Sequence, residues 1–414
     1  MQADHVVVIN DAAQARGGAT GLALLSVRLL RARGLRVSYV CGDAGANDEL
    51  RELGVEVIAG GGAGLLRRGR ADAMLRGLHN PASRAMLRDA IARLDTPGTV
   101  YHLHGWAQIL SPSIFSALAP VAARTVIHAH DMFLACPNGV YMDYPRAERC
   151  LRVPLGRDCL ATNCDKRSRL QKGWRVLRQV NLRRRFPAGH PWGAVVPIHP
   201  GMIPGLTRAG YPETLMHVIR NPATPYSTQR IRAEENRAIV YVGRLERDKG
   251  ALDLALAARR ADVPLTLVGE GSLRAEIEQA NPEARITGWT ARAEIAAHVS
   301  DARALVMPSH HPEPFALVLP EASGSGLPLL VSRTALMAPE IAKAGLGLAF
   351  DMAARGGLDA ALSGIVQMPD EEVARISRRG HARTAPLALS EEGWTAALTE
   401  LYDALCRQAA RLSA

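Results

Sequence analysis

Arg244 and Lys249 lie in VYVGRLERDKG, directly behind an apolar, β-branched run and bounded by Gly243 and Gly250. Two fixed cations at a strand end suit a diphosphate, the guanidinium through its planar fork and the ammonium as a point charge. Further on, PSHHPEPFALVLPEASGSG carries Glu313 and Glu321 with seven residues between them. A helix starting near Phe315 or Ala316 would offer its free N–H groups to phosphate oxygens, and Pro320 is tolerable only in its first turn. Glu313, in the loop before that helix, and Glu321, within it, can then line one pocket and accept hydrogen bonds from sugar hydroxyls. Taken singly, each pair has a plainer meaning: a solvated basic loop, or one loop acid and one surface helix acid.

Elements that could position these groups recur along the chain. VVVIN, VSYVCG, VEVIAG, TVYHLHG and TVIHAHD are short apolar runs closing on Asn, Gly, His or Asp, with helical stretches such as GLALLSVRLLRARG among them. After about residue 222 the series restarts with AIVYVG, PLTLVGEGS, ARITGW, ARALVMPS and LPLLVS. Strands alternating with helices indicate βαβ units and parallel sheets. The expected fold is α/β, with two Rossmann-like doubly wound domains, residues 1–222 and 223–387, facing a central cleft. The boundary falls at NPATPYSTQ, which has linker composition. Residues 388–414 read as an amphipathic helix capped by Ser390, expected to pack back toward the first domain. Ligands of open parallel sheets bind at the carboxyl ends of strands, where the residues named above stand.

In order and spacing, GRLERDKG, VGEGS, GW, PSHHPEPFALVLPEASGSGLPLL and PEI resemble the donor-binding domain of glycosyltransferase family 4, over roughly residues 238–351. The resemblance implies retaining enzymes of the two-Rossmann, B-type fold. It implies that Arg244 and Lys249 hold a nucleotide diphosphate, that Glu313 contacts the donor sugar beside Phe315, Ala316 and Leu317, and that Glu321 binds the ribose. The family usually has Gly where this chain has Ala316. More loosely, ARGGATG resembles the family's first glycine loop, where Gly17 and Gly18 would let the backbone approach the donor phosphate. VIHAHDMF resembles its strand-end His-Asp segment, which puts His130 at the cleft; His104 in YHLHGW competes for that role. The resemblance implies a metal-independent, hexosyltransferase-like enzyme that needs no cofactor besides a UDP- or GDP-sugar substrate. Its catalytic set would be His130, Glu313, Arg244 and Lys249, as in members that assemble bacterial polysaccharides. The same residues leave room for a nucleotide-sugar epimerase of this fold.

Composition bounds the partners. The 414 residues are 48% hydrophobic and 22% charged, with a net charge of +10. Residues 1–220 hold 29 Lys and Arg against 16 Asp and Glu, and the remainder 21 against 24, so the excess lies wholly in the first half. Residues 166–185 alone carry nine basic residues and no acid. Leu170, Trp174, Leu177 and Leu182 fall near one face of the helix this segment would form, which suits an anionic membrane surface. Aromatic residues are only 4% of the chain, a poor match to a base-stacking nucleic-acid platform. No apolar run is long enough to span a bilayer, and the first residues do not read as a signal peptide. The expectation is therefore a cytoplasmic protein, peripheral on the inner face of the plasma membrane, acting on a glycan or lipid-linked acceptor. Cys136, Cys150, Cys159 and Cys164 fall within 29 residues. They could hold zinc, stay reduced or form disulfides, and the lack of any C-x2-C pair leaves these alternatives open.

Overall fold

The computed structural model describes residues 2–15, 17–383 and 386–413. The chain divides into two compact units: Met1–Pro145, Leu151–Asn221 and Glu391–Ala414 form the first, and Pro222–Ser390 with the short segment Arg146–Cys150 the second.

The first unit is built on β1 (His5–Asn10), β2 (Arg36–Cys41), β3 (Glu56–Ala59), β4 (Thr99–Leu103), β5 (Thr125–Ala129) and β6 (Ala194–Pro197). They form one parallel sheet in the order β3-β2-β1-β4-β5-β6. Val6, Val7, Val8 and Ile9 are fully buried, because a parallel sheet covered on both faces demands a continuous apolar run rather than an alternating one. The second unit repeats the design with β7 (Ala238–Val242), β8 (Leu265–Val268), β9 (Arg285–Gly288), β10 (Ala302–Met307), β11 (Leu329–Ser332) and β12 (Gly347–Phe350). Its order is β9-β8-β7-β10-β11-β12, again parallel throughout. In both sheets the strand order reverses beside the first strand, between β1 and β4 and between β7 and β10. The loops leaving these strands diverge there and open a crevice for ligands.

Five helices matter for the site: α1 (Gly18–Ala32), α2 (Arg70–Leu78), α3 (Arg169–Arg185), α4 (Val318–Gly324) and α5 (Glu391–Ser413). α5 belongs to the first unit and packs on β4 and α1. Trp394, Leu398, Leu401, Tyr402 and Leu405 form its apolar stripe at helical spacing, all buried. Burying each such side chain stabilises the unit by about 1.5–3 kcal/mol. Sequence distance therefore does not stop the last helix from completing the first domain.

Candidate active site

In the second unit, β7 delivers Gly243 and Arg244 to the crevice. The Tyr241 hydroxyl donates to the Arg244 carbonyl at 2.7 Å and holds the turn. Arg244 itself is exposed, and the described residues give its guanidinium no carboxylate partner. A 3-10 turn, Arg247–Lys249, follows and ends on Gly250 at φ 72°. A Cβ at Gly250 would stand 2.0 Å from the Pro308 carbonyl oxygen at the end of β10. Glycine is thus required twice over, for the left-handed backbone and for the close approach of the two strand-end loops.

That approach brings Lys249 to Glu313. The Lys249 ammonium donates to Glu313 Oε1, which also accepts from the Ser309 hydroxyl at 3.2 Å and lies 3.3 Å from His311 Nε2. Burial pushes the Glu313 carboxyl upward, but its interactions with His311 and then Lys249 outweigh this and hold it well below the usual range. Glu313 is therefore a carboxylate that fixes one ammonium with about a fifth of its side chain exposed.

Phe315 is buried, and Ala316 and Leu317 are half-buried in the loop that follows. The helix expected to begin at Phe315 or Ala316 starts later, at Val318, with Leu317 as its cap. Pro320 supplies the reason. It has no N–H to donate and must fall among the opening residues, whose N–H groups have no intrahelical partner. Glu321, one turn into α4, is 6% exposed. Its Oε1 accepts from Arg292 Nη1, while Arg292 Nη2 donates to the Thr224 carbonyl at 2.7 Å.

In the first unit the loops after β1, β4 and β5 enclose a cavity of about 820 Å³, lined by Gly17, Gly18, His104, Trp106 and His130 among others. Gly17 lies in extended backbone as the cap of α1, and a Cβ there would meet nothing within 4 Å. What this position offers is open space in front of a helix start. Asp11 is buried beneath the cavity and accepts from the amides of Gln108, Ile109 and Leu110 at 2.8, 2.8 and 2.9 Å. Arg178 braces the same loop, donating to the Ala107 carbonyl at 2.6 Å, with its guanidinium 5.3 Å from the Trp106 ring centroid.

His104 and His130, weighed against each other on sequence, are hydrogen-bonded: His104 Nδ1 lies 3.0 Å from His130 Nε2. Burial lowers the His130 pKa to about 3, and burial with the neighbouring histidines takes His104 well below its ordinary value. Both rings are neutral at physiological pH. The next residue, Asp131, has its carboxyl pushed up to about 6 by burial, against the Phe133 amide that donates to it at 2.8 Å.

α3 corrects one expectation. Leu170, Trp174 and Leu177 share a face by helical spacing, with Leu170 and Leu177 pointing outward, 89% and 61% exposed, but Leu182 leaves it and is buried with Lys172, Arg178 and Gln179. Buried positions go to long polar side chains because their partners are there. Gln179 donates to the Leu134 carbonyl at 2.7 Å, and the Lys172 ammonium sits 3.1 Å from Cys164 Sγ and 3.6 Å from Cys159 Sγ. All six cysteines are buried.

Sequence reasoning missed Asp11, Ser309, Arg178 and Arg292. Asp11 closes the VVVIN strand and was open to the strand-end rule that found Arg244. Arg178 and Arg292 meet partners 71 and 29 residues away, and no local pattern marks such pairings.

Residues 226–383 match the family described as "Glycosyl transferases group 1". Among curated relatives, the glycogen synthase of Mycobacterium tuberculosis is 28% identical over 295 residues, 66% of each chain. A GDP-mannose-dependent alpha-mannosyltransferase of Mycolicibacterium smegmatis is 29% identical over 212 residues, 50% of this chain and 51% of that one. The alignments thus span somewhat less than two thirds and about half of these relatives. Similar solved structures include HepE of Anabaena in complex with UDP, with TM-score 0.64 and 18% identity over 96% of this chain and 98% of that one. Sucrose-phosphate synthase from Thermosynechococcus elongatus aligns with TM-score 0.70 and 17% identity over 98% of this chain and 100% of that one. These likenesses, together with the two six-stranded parallel sheets, show that the chain has the α/β fold of the GT-B glycosyltransferases.

Proposed function

We propose that this chain is a retaining glycosyltransferase that moves a hexose from a UDP- or GDP-sugar to a hydroxyl of a lipid-linked or polysaccharide acceptor. The observation that carries the reading is the Lys249 ammonium, fixed on Glu313 at the strand-order reversal of the second sheet. A cation already held in place costs no reorganisation when charge develops on a leaving diphosphate. Arg244, exposed beside it, supplies the second charge, and Glu321 accepts the ribose hydroxyls once Arg292 yields to them. In the first unit, Gly17 and Gly18 leave room for the donor phosphate and His130 meets a sugar hydroxyl. The anomeric C–O bond to the diphosphate breaks as the acceptor oxygen bonds on the same face. The acceptor proton passes to the leaving phosphate oxygen, so that no protein nucleophile and no metal is required.

The lipid-linked acceptor is favoured by the surface of the first unit. α2 packs on α3, with the Trp174 indole donating to the Met74 carbonyl at 3.0 Å. Leu75 on α2 and Leu170 and Leu177 on α3 stay exposed, among the basic residues of 166–185. Outward leucines set among arginines suit a peripheral helix lying on anionic lipid. Among the described residues no helix is long and apolar enough to cross a membrane.

A thermal-shift screen against UDP, GDP and their common sugars, followed by product analysis with a lipid-linked acceptor, tests the proposal. Stabilisation by one nucleotide and an α-linked product from an α-linked donor are expected. Inversion at the anomeric carbon would refute retention, and indifference to every nucleotide would refute the whole reading. An epimerised donor recovered without acceptor would point to an epimerase.

A further inference from the structure

β4 and β5 each end in an H-x-H pair, His102 with His104 and His128 with His130. Residues two apart on a strand share one face, and the parallel register sets His102 beside Val126, two residues before His128. All four imidazoles therefore lie on one face of the sheet, and α5 sets Tyr402 against His102 and Trp394 against His128. His102 and His128 are less than 4% exposed, and His104 is 4% exposed.

Hydrogen bonding does not satisfy this layer. His102 Nε2 lies 3.1 Å from His128 Nδ1, His104 Nδ1 bonds to His130 Nε2, and the Tyr402 hydroxyl lies 2.6 Å from His102 Nδ1. These contacts leave His104 Nε2, His128 Nε2, His130 Nδ1 and Trp394 Nε1 buried without a partner. Buried polar atoms are nearly always paired, so a cluster of orphans signals something held among them.

One nitrogen from each of His102, His104 and His128 falls within 4.8 Å of the other two, the one group of histidine, cysteine or carboxylate ligands so gathered among the described residues. We propose that His102, His104 and His128 together bind one divalent transition metal, zinc by preference, in the layer between the sheet and α5. Zinc–nitrogen bonds of about 2.0–2.1 Å at tetrahedral angles place two ligand nitrogens about 3.4 Å apart, so three nitrogens already within 4.8 Å of one another need only draw together. An H-x-H pair on one strand with a third histidine on its neighbour presents three imidazoles to one point, and water completes the tetrahedron. Tyr402 fixes the far nitrogen of His102, the outer contact that orients a ligating imidazole. Imidazole without thiolate or carboxylate suits zinc, copper or nickel and disfavours calcium or magnesium. The metal ties the ends of β4 and β5, which carry His104 and His130 into the cavity, to the C-terminal helix. Its role is structural, and it does not replace Lys249 at the leaving diphosphate.

The three histidines are almost wholly buried, and the full chain should be produced in zinc-supplemented medium. After dialysis, about one equivalent of zinc per chain is expected by elemental analysis, with loss of most of it in His102→Gln and His128→Gln. Where a variant fails to fold, wild-type protein refolded with Co²⁺ decides. It should show the visible absorption of tetrahedral cobalt without a sulfur charge-transfer band. Wild-type protein that retains no metal and gives no cobalt spectrum overturns the proposal. So does a folded His128→Gln variant with undiminished zinc, or a thiolate band, which would assign the metal to Cys136, Cys159 and Cys164 instead.

Discussion

Lys249→Ala separates the two duties of the Lys249–Glu313 pair. Without the ammonium, Glu313 keeps only the Ser309 hydroxyl at 3.2 Å and His311 at 3.3 Å while remaining mostly enclosed. Removing one partner of a buried ion pair typically costs about 3–5 kcal/mol. Side chains 20% and 16% exposed retain some hydration, which places the expected loss nearer ~2–3 kcal/mol. Urea denaturation should show it as a lowered midpoint with an unchanged slope. Adding Glu313→Gln to Lys249→Ala removes the stranded charge and should restore most of that stability, because the amide oxygen can still accept from Ser309. Turnover should not follow: each protein carrying Lys249→Ala should lose on the order of a hundredfold or more in kcat, having lost a fixed charge at the leaving diphosphate. The pH dependence has a definite sign. Glu313 is held below its unfolded value of about 4.3, so its contribution is present above that pH and is lost as pH falls toward the folded value. The acid loss should be smaller in Lys249→Ala. A double variant no more stable than the single one would refute the stranded-charge reasoning, and unchanged kcat at saturating donor would refute the diphosphate role.

Gly250→Ala should destabilise the second unit by about 3 kcal/mol or more, since a methyl group would stand 2.0 Å from the Pro308 oxygen in left-handed backbone; a midpoint within error of wild type would contradict the close approach. Glu321→Ala should raise the donor KM several-fold with little change in kcat, because a ribose contact is shared by ground and transition states; reduced kcat at normal KM would exclude that role. For membrane docking, Arg183 and Arg185 are poor probes, since Arg183 donates to the Pro154 carbonyl at 3.4 Å and Arg185 contacts His79 at 3.3 Å. Leu170→Ser with Leu177→Ser should instead weaken binding to anionic liposomes and leave nucleotide affinity intact. Wild-type protein that ignores such liposomes at low salt would end the docking idea.

The strands and their order of appearance were legible because a doubly covered parallel sheet requires uninterrupted β-branched runs, which VVVIN and AIVYV display without any partner in view. The placing of Arg244, Lys249 and Glu313 in the loops behind β7 and β10 was legible for a related reason, since strand ends can be read locally. The start of α4 was misplaced although Pro320 marks it, since a helix boundary depends on backbone hydrogen bonds that residue types only bias. That Leu182 turns inward while Leu170 and Leu177 face out was not legible. Periodicity shows which residues share a face; only the partners across the packing decide which face is buried, and here Cys164, Leu134 and Ala107 supply acceptors that draw Lys172, Gln179 and Arg178 inward. In the same way, sequence set His104 against His130 as rivals, while the register of β4 on β5 makes them one hydrogen-bonded pair within a four-histidine layer. The sequence by itself determined the strands and which residue types stand behind their ends. Tertiary structure decided which of those ends meet, because contacts between residues tens or hundreds of positions apart depend on sheet register and helix packing.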